Sequence, residues 1–527
     1  MATLHRKRSL AAFGLAVTLA TTAFAQPPAV RAELPPEPDE GWWEDRLGQV
    51  RPFEQSYADW SPERYEARPW RAAAEMLVLL GLGTAWYWVK KDQNIVDWDY
   101  PSLEDRILTF DAVRFDNNLF VTNHILHPAA GSAYYGFSRV NGLSPFASIG
   151  YSFATSAAFE FGLEVLEKVS INDLIYTPLG AWASGEWFFQ LGDYLNSGPR
   201  DGPWGNRLAT YTLGSPRYLH DAWDGAPPPR PLPLDNLGLS TAFWHRFGVT
   251  YGLSGVDNDH GKSGVVHDVL LEGELIRMPG HLRPGQFERA FGEGNFVDMR
   301  TRMSFDGTGF ADLDIFFSAD IAGYYHQRFE RAPGGISGQA WSGAVNSQGR
   351  FVDRWLLGRR DGYAVAHLPG PALKGWIAHG PMLLRLSATA HLDFAAIRAL
   401  PWDRWVGLYG SDGVKTVLQK ESYYYAHGSS ANAQVVLSHG TTELGLRGFF
   451  GHYESIEGLD REQETVYRDV HDADQILEGA AWLGHTTPGA PIHLRVTGEQ
   501  VYRTSKMTPI QETRWDRRIS VNLGLGF

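Results

Sequence analysis

The chain has 527 residues, a formal net charge of -13 and no cysteine. The acidic balance argues against nucleic acid as a partner, because a protein that binds the phosphate backbone needs a basic surface. The lack of cysteine excludes disulfides and thiolate metal sites, so the stability of the fold must come from burial and backbone pairing. A chain of this length is also expected to form at least two structural units.

The first 25 residues have the pattern of a cleavable secretory signal. A basic segment (5–8) precedes an apolar core (10–19), and Ala-Phe-Ala at 23–25 forms a cleavage site of small residues. Cleavage would remove three basic residues and no acid, which lowers the formal charge to -16. Residues 26–70 are rich in Pro, Glu, Asp and Trp and are expected to form an extended periplasmic lead. We therefore expect an exported protein of the Gram-negative cell envelope.

Residues 71–200 have helical patterns and are expected to form an α-helical module. The apolar run 72–89 is followed by Lys-Lys-Asp, which makes it too short to cross a bilayer comfortably. Ser144 before Pro145 predicts the start of a helix that runs to about Glu167. Ser170 with Asp173 predicts the cap of another helix. Small residues would let these two helices pack closely as an antiparallel hairpin; they are Gly150, Ala154, Ala157 and Ala158 on one helix, and Gly180, Ala183 and Gly185 on the other.

A polar stretch within this module carries specific sequence motifs. It contains N-H-x-x-H-P-x-x-G-x-x-Y-Y at 123–135, an acidic helix with Glu160 and Glu164, and S-I-N-D-L-I-x-T-P-x-G at 170–180, ending in Gly185-Glu186. Over roughly residues 95 to 195 the chain resembles the bacterial family called domain of unknown function 3943. Phe159 stands where the resemblance leads us to expect Trp. The family has no assigned activity, so the resemblance implies a module and not a reaction.

Seven residues of the module are candidates for catalysis: His124, His127, Arg139, Glu160, Glu164, Asp173 and Glu186. In a catalytic reading Glu164 or His127 is a general base and Arg139 holds an anionic head group such as phosphate. In a structural reading the same residues form a buried polar network that fixes how the helices pack. In a third reading the two histidines and nearby carboxylates bind zinc or iron, although Pro128 disfavours a shared helical face. No cofactor is predicted, and metal binding stays open.

A proline-rich linker is expected at 201–236, and from residue 237 the apolar period changes to two. Alternating segments recur to the C-terminus, where residues 515–527 carry apolar side chains on one face and polar ones on the other. A soluble sandwich could not bury the charges on the second face of several segments; they include Asp298, Arg300, Arg302, Asp312, Asp314 and Asp320. Residues 334–371 fit neither period and are expected to be a loop or an irregular insert. Tyr423, Tyr424 and Tyr425 are expected to be aromatics of a membrane interface.

These patterns predict an α+β fold, in which the N-terminal α-helical module precedes a C-terminal antiparallel transmembrane β-barrel of roughly ten to twelve strands at residues 237–527. The terminal Phe527 resembles the signal by which outer-membrane barrels are recognised for assembly. The expected partners are therefore outer-membrane lipid and the barrel-assembly machinery, with no nucleic acid; a small-molecule or lipid ligand stays unknown. The expected location is the bacterial outer membrane.

Two functions remain open from the sequence. In the first, the helices plug the lumen or its periplasmic mouth, and their polar network latches a barrel that gates, transports or scaffolds an envelope component. In the second, the His/Arg/Glu network of the module is the active site of an enzyme that acts on an envelope lipid or glycan.

Overall fold

A computed structural model describes residues 66–90, 100–226, 235, 237–240, 242–278 and 280–526. The predicted signal, the predicted lead up to residue 65 and Phe527 lie outside the described residues. The described chain forms a helical module followed by a barrel, which confirms the predicted fold class.

Among the described residues, the helical module contains six α-helices: α1 (Pro69–Lys90), α2 (His127–Val140), α3 (Pro145–Ala158), α4 (Ile171–Leu195), α5 (Trp204–Thr212) and α6 (Ser215–Asp224). Three π-helical segments accompany them, at Glu104–Leu108, Thr122–Leu126 and Phe159–Leu163. Two short strands, β1 (Val113–Arg114) and β2 (Val169–Ser170), pair in parallel. The last two helices occupy much of the segment that was predicted to be a proline-rich linker.

Both predicted helix starts are present. The hydroxyl of Ser144 accepts a hydrogen bond from the backbone N–H of Ala147 at 3.3 Å, and Ser170 caps Asp173 at the same distance. The first of these helices ends earlier than predicted, because α3 passes into a π-helical segment that stops at Leu163. Helix α1 was predicted to be too short for a bilayer, but its 22 residues extend about 33 Å at 1.5 Å per residue.

The close helix crossing is between α2 and α4, not between α3 and α4 as the small residues predicted. A Cβ atom on Gly131 of α2 would lie 1.8 Å from the carbonyl oxygen of Thr177, and one on Gly185 of α4 would lie 2.7 Å from Tyr135. A Cβ on Gly150 of α3 would meet nothing within 4 Å. The small residues of α3 therefore face away from α4.

The barrel is formed by twelve long strands: β3 (Trp244–Asn258), β4 (Ser263–Ile276), β6 (Phe296–Asp306), β7 (Gly309–Ala332), β8 (Gly335–Leu356), β9 (Arg359–Gly380), β10 (Met382–Arg398), β11 (Tyr423–His439), β12 (Thr442–Ser455), β13 (Asp472–Thr486), β14 (Ile492–Met507) and β15 (Ile510–Gly526). Every neighbouring pair is antiparallel, and β15 pairs with β3 while β7 pairs with β8, which closes the sheet. The short β5 (Gly285–Phe291) pairs with the second half of β7, beyond the end of β6.

The expectation of a loop or insert at 334–371 is wrong, because these residues form β8 and the first half of β9. A β-bulge between Asn346 and Gln348 shifts the register, so side chains change faces within one strand. Val352 and Val365 also point inward against other apolar side chains. Both effects remove the simple alternation that a sequence pattern can detect.

The interior of the barrel is identified by ion pairs between strands that are not neighbours. Arg302 of β6 pairs with Glu499 of β14, and Arg246 of β3 lies 3.2 Å from Glu443 of β12. We name the two openings by their connections. The termini end holds the start of β3, the end of β15 and the turns 333–334, 381, 440–441 and 487–491; the loop end holds the long connections 399–422 and 456–471. Helices α7 (Trp402–Tyr409) and α8 (Thr416–Glu421) lie in the first of these connections.

The helical module packs on the outer wall of the barrel, so the predicted position within the lumen is wrong. Trp187 of α4 lies against Gly273, and the rings of Phe188 and Phe317 are 5.8 Å apart. Gly273 and Phe317 are offset by one residue from lumen-facing positions, and therefore point outward. The hydroxyl of Tyr176 donates to the carbonyl of Ala364 at 3.0 Å. Through these contacts α4 runs along the wall from the loop end to the termini end.

Candidate functional site

The seven candidate residues form two clusters rather than one site. The first cluster surrounds the first turn of α4 and contains His124, His127, Glu160, Glu164 and Asp173. The second contains Arg139 and Glu186. Asp173 and Glu186 are separated by about 20 Å along α4 at 1.5 Å per residue, so the clusters cannot act on one reacting group.

Asp116 is the hub of the first cluster, although the sequence reasoning did not single it out. Its Oδ1 accepts hydrogen bonds from Asn172 at 3.1 Å, from the hydroxyl of Tyr425 at 3.0 Å and from Asn123. Its Oδ2 accepts one from Asn118 at 2.8 Å. Donors surround the buried carboxylate, as a charge removed from water requires. Asn123 of the N-H-x-x-H motif and Asn172 of the S-I-N-D motif thus share one partner, Asp116, which precedes both motifs in the sequence.

Tyr423 and Tyr425 join this cluster from the outer face of β11. Asn123 donates to the Tyr425 hydroxyl at 2.9 Å, and the Tyr423 hydroxyl donates to the carbonyl of Asn118 at 3.1 Å. Both tyrosines are buried between the wall and the helical module. They were predicted to lie at a membrane surface, and instead they dock the module onto the barrel.

His127 and Asp173 form the contact in this cluster that comes closest to a catalytic pair. His127 Nε2 lies 3.4 Å from Asp173 Oδ1, and the same oxygen accepts a hydrogen bond from Asn172 at 2.9 Å. The His127 side chain is 26% exposed, whereas Asp173 is buried. His127 has helical backbone angles despite Pro128, so the expected loss of helical geometry at this residue is wrong.

His124 points away from His127 and into the seam between helix and wall. Its Nδ1 lies 2.6 Å from the carbonyl oxygen of Phe120, and its ring packs edge-on against Tyr176 at 4.5 Å between centroids. Within the part of the chain that the structure describes, no group of three His, Asp or Glu side chains is arranged to hold a metal ion. The metal reading has no geometric support there.

Glu160 and Glu164 do not share one helix face, because the π-helical segment ends between them. Glu160 is buried and accepts a hydrogen bond from the backbone N–H of Ser170 at 2.9 Å. Glu164 has non-helical backbone angles and begins the connection to β2. Burial, followed by the nearby charges of Glu160 and Glu167, holds the pKa of Glu164 well above its usual range.

The arginine that lies beside Glu160 and Glu164 is Arg106. Arg106 is buried and donates to the carbonyl oxygens of Glu164 and Glu167 at 3.1 Å, and also to that of Glu160. It therefore satisfies the backbone carbonyls where the π-helical segment ends. Its role is to hold this corner of the module together.

Arg139 is committed to the second cluster and has little capacity left for a ligand. Its Nε and Nη2 donate to the two carboxylate oxygens of Glu186 at 2.9 and 3.2 Å. Its remaining donors reach the carbonyl of Leu143 at 2.6 Å, and both the carboxylate and the carbonyl of Glu293 at 3.3 and 3.1 Å. Glu293 lies between β5 and β6, so this fully buried pair fastens α2 and α4 to the termini end of the barrel. The expected binding of an anionic head group by Arg139 has no free donor to support it.

A second candidate site lies in the lumen at the termini end, where a cavity of about 490 Å³ opens. Six basic side chains line it, Arg246, Arg300, Lys374, Arg385, Arg447 and Arg495, against four acidic ones, Glu272, Glu274, Asp298 and Glu443. Most of these charges are paired with one another; Arg385, for example, lies 3.1 Å from Glu443. Among the described residues, no carboxylate lies within ion-pair distance of Arg300, which faces the Phe316 ring at 5.3 Å.

Beyond the cavity, side chains close the lumen in two layers. Ionic pairs cross the middle, such as Arg350 to Glu478 at 2.7 Å and Arg518 to Asp312 at 2.9 Å. An apolar layer follows at the loop end, where α7 and α8 fold inward. This apolar seal contains Val352, Tyr363, Val365, Ile397, Trp402, Trp405, Leu418, Tyr424, Phe449, Tyr453, Ile476 and Met507. The described lumen is therefore a chamber that opens at one end.

The helical module contacts α8 through an apolar cluster, in which Val417 packs with Phe115 and Phe120, and through the hydrogen bonds of Asn117. Asn117 donates from Nδ2 to the hydroxyl of Thr416 at 3.2 Å and accepts from Lys420 Nζ at 2.6 Å, and both partners belong to α8. Asn117 directly follows Asp116, the hub of the first cluster. The polar network is thus continuous from α4, across the outer wall, to the seal.

Comparison with known proteins identifies the module but not a function. Residues 112–214 match the model of the family described as domain of unknown function (DUF3943), which confirms the predicted resemblance. No curated protein matches the chain significantly. Among solved structures, the chain is similar at 7% identity to OmpTdeltaL8, a loop deletion mutant of an outer membrane protein of Vibrio cholerae, covering 54% of this chain and 100% of that chain with a TM-score of 0.22.

Two further structures show similarity at the same level. The translocator domain of the autotransporter NalP from Neisseria meningitidis is 13% identical and covers 60% of this chain and 97% of its own, with a TM-score of 0.18. The outer membrane channel DcaP of Acinetobacter baumannii is 11% identical and covers 54% and 97%, with a TM-score of 0.19. Similarities this weak carry no functional argument.

Proposed function

We propose that the protein is a gated outer-membrane barrel that takes an anionic envelope component into its lumen from the periplasm. The observation that carries this proposal is the charged chamber, which is open at the termini end and sealed at the loop end. Short turns of membrane barrels face the periplasm and longer loops face outward, which supports a periplasmic position for the chamber mouth.

The ligand class follows from the lining of the chamber. Two of the basic side chains pair with acids beyond the lining, Lys374 with Asp320 and Arg447 with Glu499. Arg300 is the best anchor for an anion, because no carboxylate of the described residues lies within ion-pair distance of it. A guanidinium binds carboxylate or phosphate with two parallel hydrogen bonds. The chamber therefore suits a small molecule with a carboxylate or phosphate group.

The gate is the inward-folded connection 399–422. Moving it breaks no strand pairing of the closed sheet, because α7 and α8 lie outside the strands. Asn117 latches α8 from outside the barrel. In this proposal the helical module keeps the gate closed, as predicted for a latch, although it does so from the wall and not as a plug.

The proposal is tested by the conductance of the purified full chain in planar bilayers. The wild type is expected to conduct little. A variant with residues 402–421 replaced by a short Gly-Ser linker, combined with Arg302→Ser and Glu499→Ser, is expected to conduct steadily and to prefer anions. Both charges of the ionic pair are removed together, since one alone would leave a buried unpaired charge. Arg300→Gln in this open variant should lower the anion preference.

Asn117→Ala tests the latch in the otherwise unchanged protein. It should raise the frequency of openings, whereas Thr212→Ala is the matched control, because its hydroxyl bonds only within α5. An open variant that folds but stays closed to ions would overturn the gated barrel. Equal opening frequencies in Asn117→Ala and the control would overturn the latch.

A second candidate function is favoured by the partly exposed ring of His127 beside Asp173. A histidine oriented by a carboxylate can act as a general base on a lipid or glycan at the membrane. His127→Ala would then change the mass spectrum of outer-membrane lipids or glycans without changing permeability. The latch predicts the opposite, with unchanged lipids and altered permeability.

A further inference from the structure

The exposed surface of the helical module is apolar along the length of the barrel wall. Helix α1 exposes no charged side chain between Pro69 and Val89, and its exposed residues include Leu77, Val78 and Leu82. Its 21-residue segment from Pro69 to Val89 is long and apolar enough to cross a membrane, and only 22% of its most apolar window is buried. A soluble surface helix would place charged residues on this face.

Helix α3 buries its polar residues and exposes its apolar ones, which is the reverse of a surface helix in a soluble protein. The face that it buries carries four hydroxyl residues, Ser148, Ser152, Thr155 and Ser156. The face that it exposes carries Phe146, Ala147, Gly150, Phe153 and Ala154. Helices surrounded by lipid bury their polar residues against neighbouring helices, since lipid tails are as apolar as leucine. The polarity of α3 therefore indicates a lipid surrounding and not water.

Helix α1 follows the whole height of the wall, whereas α3, with 14 residues, extends about 21 Å. Helix α1 begins at the termini end, where Arg71 donates to Asp224 at 2.7 Å, and ends near Tyr87, whose ring packs against Phe159 at the loop end. Its length of about 33 Å matches the hydrocarbon thickness of about 30 Å. Exposed tryptophans mark both ends, Trp70 at one and Trp86 and Trp88 at the other, as in an aromatic belt.

The apolar face continues the exposed surface of the bare barrel wall. Strands β12 to β15 present Leu444, Leu483 and Leu523 outward, each more than half exposed. The charges of the helical module lie on its inner side or at its ends, and the basic and acidic residues of α1, Arg71 and Glu75, are both paired inward. The two surfaces thus form one uncharged belt around the molecule.

We propose that the acyl chains of the outer membrane cover the outer faces of α1 and α3, so that the helical module lies within the bilayer beside the barrel. The backbone requirement of a membrane is met, because the helices satisfy their hydrogen bonds internally. The polar clusters around Asp116 and Arg139 are then enclosed between helices, wall and lipid. This inference rests on the proposed membrane location of the barrel.

The test uses spin labels on single cysteines, for which a chain without cysteine is a clean background. Leu77→Cys and Phe153→Cys report on the helical module, Leu483→Cys on the bare wall, and Thr441→Cys on the turn between β11 and β12. Each variant is reconstituted in vesicles of phosphatidylethanolamine and phosphatidylglycerol, after its heat-modifiable gel mobility has been matched to that of the wild type. Collision rates with oxygen and with a water-soluble nickel chelate are then measured.

The labels at Leu77 and Phe153 are expected to match Leu483, with frequent oxygen collisions and a several-fold loss of nickel collisions relative to Thr441. Nickel accessibility equal to that of Thr441 at both helical positions would overturn the inference, because the face would then be in water. Loss of both collision types would also overturn it, since a second copy of the chain would cover the face. Nickel accessibility at Leu483 itself would instead overturn the membrane location of the barrel.

Discussion

The outer wall of the barrel has a covered sector and a bare sector, and they differ in what their outward residues contact. Under the helical module, large outward residues such as Phe351, Tyr423 and Tyr425 are buried by the helices, and small ones lie between them; the small ones include Gly273, Ala319, Gly349, Ala364, Ala366 and Ala396. On the bare sector, large outward residues such as Leu483 and Ile519 are 54% and 66% exposed. Small residues let a helix approach closely, while exposed large ones suit disordered lipid tails. The same alternation therefore encodes two different surfaces.

The largest expected effect comes from detaching the module from the covered sector. Arg139→Ala leaves the fully buried carboxylate of Glu186 without its cation, which should lower the free energy of unfolding of the module by about 3–5 kcal/mol. Urea titration in detergent, followed by protease cleavage within residues 127–195, measures the loss. Replacing both residues, Arg139→Leu with Glu186→Leu, should cost clearly less. An equal or larger cost in the double variant would contradict the role of the ion pair.

The crossing of α2 and α4 should be nearly as sensitive to substitution as the Arg139–Glu186 ion pair. Gly131→Ala places a methyl group against the Thr177 carbonyl, so we expect a loss at the upper end of the roughly 1–3 kcal/mol typical of overpacking. Gly150→Ala, on the outward face of α3, has room and should be neutral or slightly stabilising. Urea midpoints of the two variants give the comparison, and a cost at Gly150 as large as at Gly131 would refute the crossing.

The two sectors can be compared directly with one substitution. Ala364→Leu lies under Tyr176 and should lower the free energy of unfolding by about 1–2 kcal/mol, because the leucine needs space that the helix occupies. Ala481→Leu lies on the exposed outer face of β13 and should be tolerated. Refolding yields into vesicles and urea midpoints measure both. Equal effects would mean that the sectors do not differ as described.

The smallest expected effect is a pH dependence from Glu164. Because burial raises the pKa of its carboxyl in the folded protein, the native state holds this proton more tightly than the unfolded chain does. The free energy of unfolding should therefore fall as the pH rises above about 4.3, the usual value for glutamate, and through the raised pKa. Glu164→Gln should flatten this decline. An unchanged slope in the glutamine variant would contradict the raised pKa of Glu164.

The fold was predictable where one physical rule acts alone. Helix starts at Ser144 and Ser170 follow from local capping, and the inward charges Arg302 and Asp312 follow from the cost of burying them elsewhere. Residues 334–371 were missed because a bulge and an apolar seal hide the alternation. The bulge and the apolar seal both depend on contacts between residues that are far apart in the sequence. At these places the side chains no longer alternate simply between polar ones in the lumen and apolar ones toward lipid.

The candidate site was predictable in its residues but not in its arrangement. The motifs point to Asn123, Asp173 and Glu186, and all three lie in buried polar clusters. Asp116 and Tyr425, the partners of Asn123, lie outside the motifs, as does Arg106, the partner of the Glu160 and Glu164 carbonyls, so spacing gave no signal for them. The position of the module on the wall also escaped prediction, although the inverted polarity of α3 is visible in its sequence once the helix is known.

The position of the helical module on the outer wall is the central claim, and paired cysteines in native membranes test it most directly. Phe188→Cys with Phe317→Cys should be joined by a short bis-maleimide, because the ring centroids of the native pair are 5.8 Å apart. Phe188→Cys with Phe316→Cys is the matched control, since Phe316 directly precedes Phe317 in β7 and faces the lumen. A crosslink through residue 317 and none through 316 is the predicted result. A crosslink through 316, or none through 317 in folded protein, would contradict the account.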